Sequence, residues 1–245
     1  MSGESGPARG LLCRGGVAAI YHYAPLHYLP FIARRAALLS KEKLRRAGFS
    51  ENHFRSTSKR QDISRGFDRY VHLTLDAHPP ILQAKLAKGF PHFEIGIPAQ
   101  AVEQRDYLLC RFNIAKTRYF RGARQAPEES AQNGKYYGDF CLPVARTEME
   151  RGDLFAANYG RRMIEVLVED EIPLSASTLL RFFHPDDVIV ARDIATRLRV
   201  PYTIELDAGL GYVPRTAYRT AVMEALATAM QDDRWLGNGL EFDRV

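Results

Sequence analysis

The sequence predicts a single α+β domain, and three observations carry that reading. Short apolar strands and amphipathic helices are mixed along the 245 residues without the strict strand–helix alternation of a doubly wound sheet. Neither GxGxxG after a strand nor GxxxxGK followed by Ser or Thr occurs, so both standard phosphate-cradling fingerprints are absent. No Pro-rich or Gly-rich linker divides the chain, and no internal repeat does.

Residues 1–14 are small, polar and Gly-rich and lack the apolar stretch of a signal peptide, which predicts a disordered start on a cytoplasmic protein, with the domain running over 15–245. Residues 16–21 read as a buried strand. Pro25 then stands where a helix accepts a first-turn proline, and Leu26, Leu29, Ile32 and Ala33 repeat at helical spacing to about Arg35. Ser40 has the position of an N-cap for a helix over 41–47, with Gly48 behind it. Residues 49–66 are polar and long for a connector, which points to a functional loop. Residues 70–75, 93–97 and 108–114 predict strands, and 80–88 a helix stopped by Gly89. Residues 122–138 read as a surface loop. Residues 153–160 read as a loop feeding a strand over 162–168. A strand over 178–183, a helix opened by Pro185, Asp186 and Asp187, a strand over 202–206 and a helix over 216–231 complete the chain.

Bulk properties narrow the function. Apolar residues make up 46% and charged residues 26%, an ordinary globular balance, and no apolar run reaches the roughly 18–20 residues that span a bilayer. A membrane role is therefore not expected. Cys13, Cys110 and Cys141 are odd in number and widely spaced, so neither a disulfide framework nor a zinc site is indicated. The formal charge is +5 and Arg outnumbers Lys, which favours a polyanionic partner, because the guanidinium grips phosphate in a bidentate fork.

Two stretches carry the candidate chemistry. Glu165 is a lone carboxylate inside Met163-Ile164-Glu165-Val166-Leu167-Val168, and a carboxylate in an apolar strand must be paired or face a cavity. Arg161 and Arg162 stand just upstream as possible charge partners. His22 ends the apolar run Ala19-Ile20-Tyr21, where a strand end could present it to a polar ligand, with Tyr23 beside it as a possible stacking platform. In Tyr70-Val71-His72-Leu73-Thr74-Leu75, period-two alternation places Tyr70, His72 and Thr74 on one face, which could line a cleft or meet solvent. Arg55, Arg60 and Arg65 sit in the polar loop, where each could hold a diphosphate. Residues 105–124 interleave Arg and Lys with aromatic rings, a pattern suited to single-stranded nucleic acid and equally to an amphipathic strand pair.

Taken in order, these stretches resemble the DarT-type ADP-ribosyltransferases, toxins that modify bases of nucleic acid. The likeness rests on Ile20-Tyr21-His22, Leu29-Pro30-Phe31-Ile32, Leu38-Leu39-Ser40, Asp68-Arg69-Tyr70-Val71 and Arg162-Met163-Ile164-Glu165-Val166-Leu167-Val168, and it covers about residues 17–200. It implies an ADP-ribosyltransferase-like split central sheet with flanking helices, NAD as ADP-ribose donor and no metal. It implies Glu165 as the catalytic glutamate and an Arg, Arg55 first among the three, on the diphosphate or the reaction. His22, Tyr23, Ser40, Tyr70, Arg60 and Arg65 would surround the cofactor. The loop over 153–160 would meet the nucleic acid through Phe155, Asn158 and Tyr159, with Arg161 behind them. The implied partners are single-stranded DNA or RNA and a protein antitoxin. One departure stands out: many members read Tyr-Val-Pro-Phe-Tyr-Phe where this chain has Tyr70-Val71-His72-Leu73-Thr74-Leu75.

Other readings stay open at this stage. The target could be mRNA. An RNA 2′-phosphotransferase would use the basic loop but has no need of Glu165. A nucleic-acid-binding module would need no catalysis at all.

Overall fold

The computed structural model describes residues 10–47, 63, 66–110, 144, 145, 147–158 and 164–231. Among these, strands β1 (Ala19–Pro25), β2 (Ala37–Leu39), β3 (Tyr70–Thr74), β4 (His92–Pro98), β5 (Tyr107–Cys110), β6 (Val144–Ala145), β7 (Glu165–Glu169), β8 (Glu171–Pro173), β9 (Leu179–Phe182) and β10 (Thr203–Leu206) form two sheets. Eight of them make one sheet in the order β10-β9-β4-β1-β3-β7-β5-β6, and β2 pairs with β8 separately. Within the large sheet only the edge pair β10–β9 is parallel. Helices α1 (Leu11–Arg14), α2 (Leu29–Arg35), α3 (Lys41–Arg46), α4 (Pro80–Ala87), α5 (Ala99–Glu103), α6 (Glu148–Asn158), α7 (Pro185–Leu198) and α8 (Thr216–Gln231) flank it. The expected α+β architecture is the one observed.

Period-two burial explains how the sheet is covered. Ile20 and Ala24 of β1, Val71 and Leu73 of β3, Phe93, Ile95 and Ile97 of β4, Val166 and Val168 of β7, and Leu180 and Phe182 of β9 share one core. That core also takes Leu29, Phe31 and Ile32 of α2, Val188, Ala191 and Ile194 of α7, and Val222 and Leu226 of α8. The opposite face is covered by two smaller clusters. One is Leu82, Leu86, Phe183 and Tyr212; the other is Phe67, Tyr70, Cys110 and Leu167.

The structure corrects several expectations. Residues 11–14 are a helical turn and not part of a disordered start. Leu12 is fully buried, and the Leu12 and Cys13 amides donate to the carboxylate of Glu103, about ninety residues away. The packed domain therefore begins before residue 15. A helix, α6, occupies 148–158, where a loop is expected from 153. Its N-terminus is a capping box: the Thr147 hydroxyl accepts from the Glu150 amide at 3.2 Å, and the Glu150 carboxylate accepts from the Thr147 amide at 2.9 Å. Phe155 on this helix is a core residue. A Cβ on Gly15 would lie 2.3 Å from its ring, so α1 and α6 meet through that glycine. Helix α2 starts at Leu29, with Pro30 in its first turn, because β1 runs through Pro25 into a 3-10 turn, Leu26–Tyr28. The stretches 49–62, 111–143 and 232–245 lie outside the described residues, and with them the basic–aromatic pattern beyond Cys110.

Two histidines, His27 and His92, are buried among the packed residues. Burial holds His27 and His92 at about 3, well below the usual 6.5. The unfolded chain takes up both protons as pH falls through 6.5, and the folded chain resists until about 3, so stability falls across that interval. From pH 7.5 to 5.5 the expected loss is up to about 3 kcal/mol, read as a lower urea midpoint at constant slope. In the same assay Phe155→Ala is expected to cost about 3–5 kcal/mol. A variant as stable as the parent would mean that Phe155 does not belong to the core.

Candidate active site

The sheet is not uniformly zipped. Strand β1 pairs with β4 along its whole length, from Ala19↔Pro98 to Pro25↔His92. Strand β3 pairs with β7 from Tyr70↔Glu169 to Thr74↔Glu165. Between β1 and β3, the register holds at one pair alone, Tyr21↔Thr74. Beyond it, toward Tyr23 and His72, the two halves diverge.

Directly opposed residues of paired strands share a face. The row Leu179, Gly96, Tyr21, Thr74, Glu165, Cys110 therefore crosses six strands on the side away from the main core. Glu165 lies two strand spacings from Tyr21, roughly 10 Å. By the same alternation His22, next to Tyr21, belongs to the core side with Ile20 and Ala24, so His22 and Glu165 do not simply face each other. They are joined through His72.

The His22 ring closes the opening between β1 and β3. Its Nδ1 lies 2.9 Å from the His72 carbonyl oxygen. A carbonyl only accepts, so Nδ1 carries the proton and Nε2 is left with an acceptor lone pair. Burial pulls the half-buried His22 imidazole below the usual histidine range; the bond to His72 opposes this, and the charges of His72 and Lys41 add to it. His22 is thus a neutral acceptor. Its ring stacks on that of Tyr23, with centroids 6.2 Å apart and planes at 17°.

The His72 side chain is held at both nitrogens. Nε2 lies 3.0 Å from the Phe67 carbonyl oxygen and must donate to it, while Nδ1 lies 3.1 Å from Oε1 of Glu165. Nδ1 thus faces a carboxylate oxygen, which only accepts. The Glu165 side chain is 13% exposed and that of His72 21%, so both remain reachable.

A second carboxylate on the same face went unread in the sequence. Glu94 pairs in register with Tyr23 on one side and Arg181 on the other. Its carboxylate accepts from Arg181 at 2.7 Å and from the His78 amide at 2.6 Å, and the His78 ring also reaches Asp207 at 3.0 Å. Burial raises Glu94, with His78 and Arg181 pulling the other way. Its signal was available: it stands alone in Phe93-Glu94-Ile95-Gly96-Ile97, as Glu165 does in its own strand. At 1% exposure and doubly pinned, Glu94 holds the sheet together; Glu165 is the carboxylate open to chemistry.

The other expected site residues have differing surroundings. Tyr23 is half-buried against the Leu82, Leu86 and Phe183 cluster beside the opening. Ser40 is buried, and its hydroxyl accepts from the Lys43 amide at 3.1 Å, capping α3 as the sequence suggests. Tyr70 shares a face with His72 but is packed against Phe67 at the far end of β3, with its hydroxyl accepting from Arg69 at 2.8 Å. Phe155 is core and so presents no ring to nucleic acid. Asn158 ends α6. Arg55, Arg60, Arg65, Tyr159 and Arg161 lie outside the described residues, as does the side chain of Asn158.

No protein-family model matches the chain, and no curated protein matches its sequence. Its architecture does match solved structures. Thermus sp. 2.9 DarT in complex with ADP-ribosylated ssDNA superposes with a TM-score of 0.51 at 14% identity, over 80% of this chain and 97% of that one. Thermosipho africanus DarTG in complex with ADP-ribose gives 0.53 at 11% identity, over 80% of this chain and 52% of that one. The chain has the DarT fold. Across the opening between β1 and β3 the His22 ring meets the His72 carbonyl, and the His72 ring reaches Glu165.

The proton assignment at His22 is directly measurable. In long-range nitrogen–proton NMR spectra at pH 7.5, His22 is expected to be neutral and protonated at Nδ1. A charged ring, or a proton on Nε2, would remove the acceptor from the site.

Proposed function

We propose that this protein is an NAD-dependent ADP-ribosyltransferase that modifies a base in single-stranded DNA, acting as the toxin of a toxin–antitoxin or phage-defence pair. One observation carries the reading: a reachable carboxylate, Glu165, is linked through His72 to a neutral histidine acceptor at the division of a DarT-type sheet. Solved proteins of this fold carry ADP-ribosylated ssDNA in one case and ADP-ribose in another, which supports this substrate class. The net charge of +5 suits a phosphate backbone.

The residues fit an ADP-ribose donor. NAD supplies a sugar carbon whose bond to nicotinamide breaks with the electron pair leaving on the nicotinamide nitrogen. His22 offers Nε2 to a ribose hydroxyl. Glu165 sets a negative charge beside the positive charge that grows on the sugar as the bond stretches, a stabilisation that counts for most where water is excluded. The attacking atom of the base bonds to the sugar carbon, and Glu165 takes up the proton that this atom sheds. Because the atom must reach the sugar, the base is taken from an unpaired strand. The diphosphate falls to an Arg of the polar loop, with Arg55 ahead of Arg60 and Arg65. Asn158, Tyr159 and Arg161, between α6 and β7, stand next to the catalytic strand in sequence and are assigned to the nucleic acid. A protein antitoxin is the expected partner, with the cytoplasm as the place of action.

Glu165→Gln is expected to lower transfer from NAD to a single-stranded DNA oligonucleotide by about 10²-fold or more, with an unchanged circular dichroism spectrum. Mass spectrometry of the oligonucleotide reads the product. Transfer at the parental rate would remove Glu165 from the reaction, and transfer confined to an RNA oligonucleotide would move the substrate to mRNA.

A further inference from the structure

We propose that His72 is a positioning residue for Glu165, a role that rests on the transferase reading above. The argument is geometric. The register sets His72 opposite Leu167 and Thr74 opposite Glu165, so His72 and Glu165 are diagonal neighbours on one face, close enough for an imidazole to reach the carboxylate. The ring cannot turn freely, because the Phe67 carbonyl takes its Nε2–H at 3.0 Å. With that end fixed, Nδ1 has one direction, toward Oε1 of Glu165 at 3.1 Å.

The same residue also fixes the other half of the site. The His72 carbonyl oxygen receives Nδ1–H of His22, so one residue orients the carboxylate through its ring and the acceptor histidine through its backbone. A glutamate at a strand end has three side-chain torsions and no preferred heading of its own. His72 supplies that heading. The side chain matters for Glu165, whereas any residue at 72 would supply the carbonyl for His22. Substitution therefore separates the two roles.

The amide nitrogen of Asn falls near the position of Nδ1, and that of Gln near Nε2. His72→Asn keeps a donor aimed at Glu165, and His72→Gln keeps one aimed at Phe67. Steady-state transfer from NAD to a single-stranded DNA oligonucleotide is measured for both variants beside the parent. Misplacing a reacting group by about 1 Å costs on the order of 10²-fold, so His72→Gln is expected to lose kcat on that scale while the KM for NAD stays level. His72→Asn is expected to recover most of the loss. Melting temperatures are measured in parallel, because a structural role would lower stability and rate together in both variants. Equal kcat in parent, Asn and Gln proteins overturns the positioning role and leaves the transferase reading intact, as does a kcat loss that follows the melting temperature. A parent protein that modifies no oligonucleotide overturns the transferase reading and the positioning role with it.

Discussion

The site depends on a ladder that is left unfinished. Strands β1 and β3 share a single opposed pair, Tyr21 and Thr74, before they diverge. A buried backbone group without a partner costs about as much as a lost hydrogen bond, so a sheet that opens in its interior must cover what it exposes. At the His72 carbonyl, where a strand N–H would otherwise donate, the Nδ1–H of His22 does so. The histidine that caps the opening is thereby locked into one tautomer and keeps an acceptor lone pair on Nε2. Structural repair and chemical readiness come from the same hydrogen bond.

The opening does not weaken the sheet on its core side. Ile20 and Ala24 from β1 pack in the same cluster as Val71 and Leu73 from β3 and Val166 and Val168 from β7, so apolar contact continues where hydrogen bonding stops. One face thus supplies cohesion, and the other is free to carry His72, Glu165, Glu94 and Arg181. Polar groups on that second face are costly unless matched, and here each has a partner drawn from another strand or loop.

Much of this was legible in the sequence, and the misses have physical reasons. Glu165 stood out because one carboxylate among Ile, Val and Leu demands a partner, and the alternation of Tyr70, His72 and Thr74 put His72 on a polar face. What one strand cannot reveal is which residue 93 positions away lies diagonal to it, so the His72–Glu165 pair stayed hidden. The helix over 148–158 was readable from Thr147 and Glu150, a capping box that composition in the following residues obscured. Leu12 and Phe155 are different. Their burial depends on Glu103 and Gly15 meeting them from distant parts of the chain, which no local pattern encodes.

Glu94 and Glu165 show how environment, not residue type, decides a role. Both are lone carboxylates in apolar strands, both lie on the same face, and both have a histidine nearby. Glu94 is sealed at 1% exposure between the guanidinium of Arg181 and the amide of His78, so its removal would cost the half-buried Arg181 its carboxylate. Its energy is committed to holding β4 against β9. Glu165 stands at the start of β7 in the row that Tyr21 and Thr74 share, its side chain is 13% exposed, and its histidine partner is itself tethered by a carbonyl. A reachable carboxylate held in one orientation meets a developing positive charge with little reorganisation and is suited to catalysis. Surroundings create that difference: a guanidinium and a backbone amide close over Glu94, whereas Glu165 keeps a path to solvent beside a single tethered imidazole.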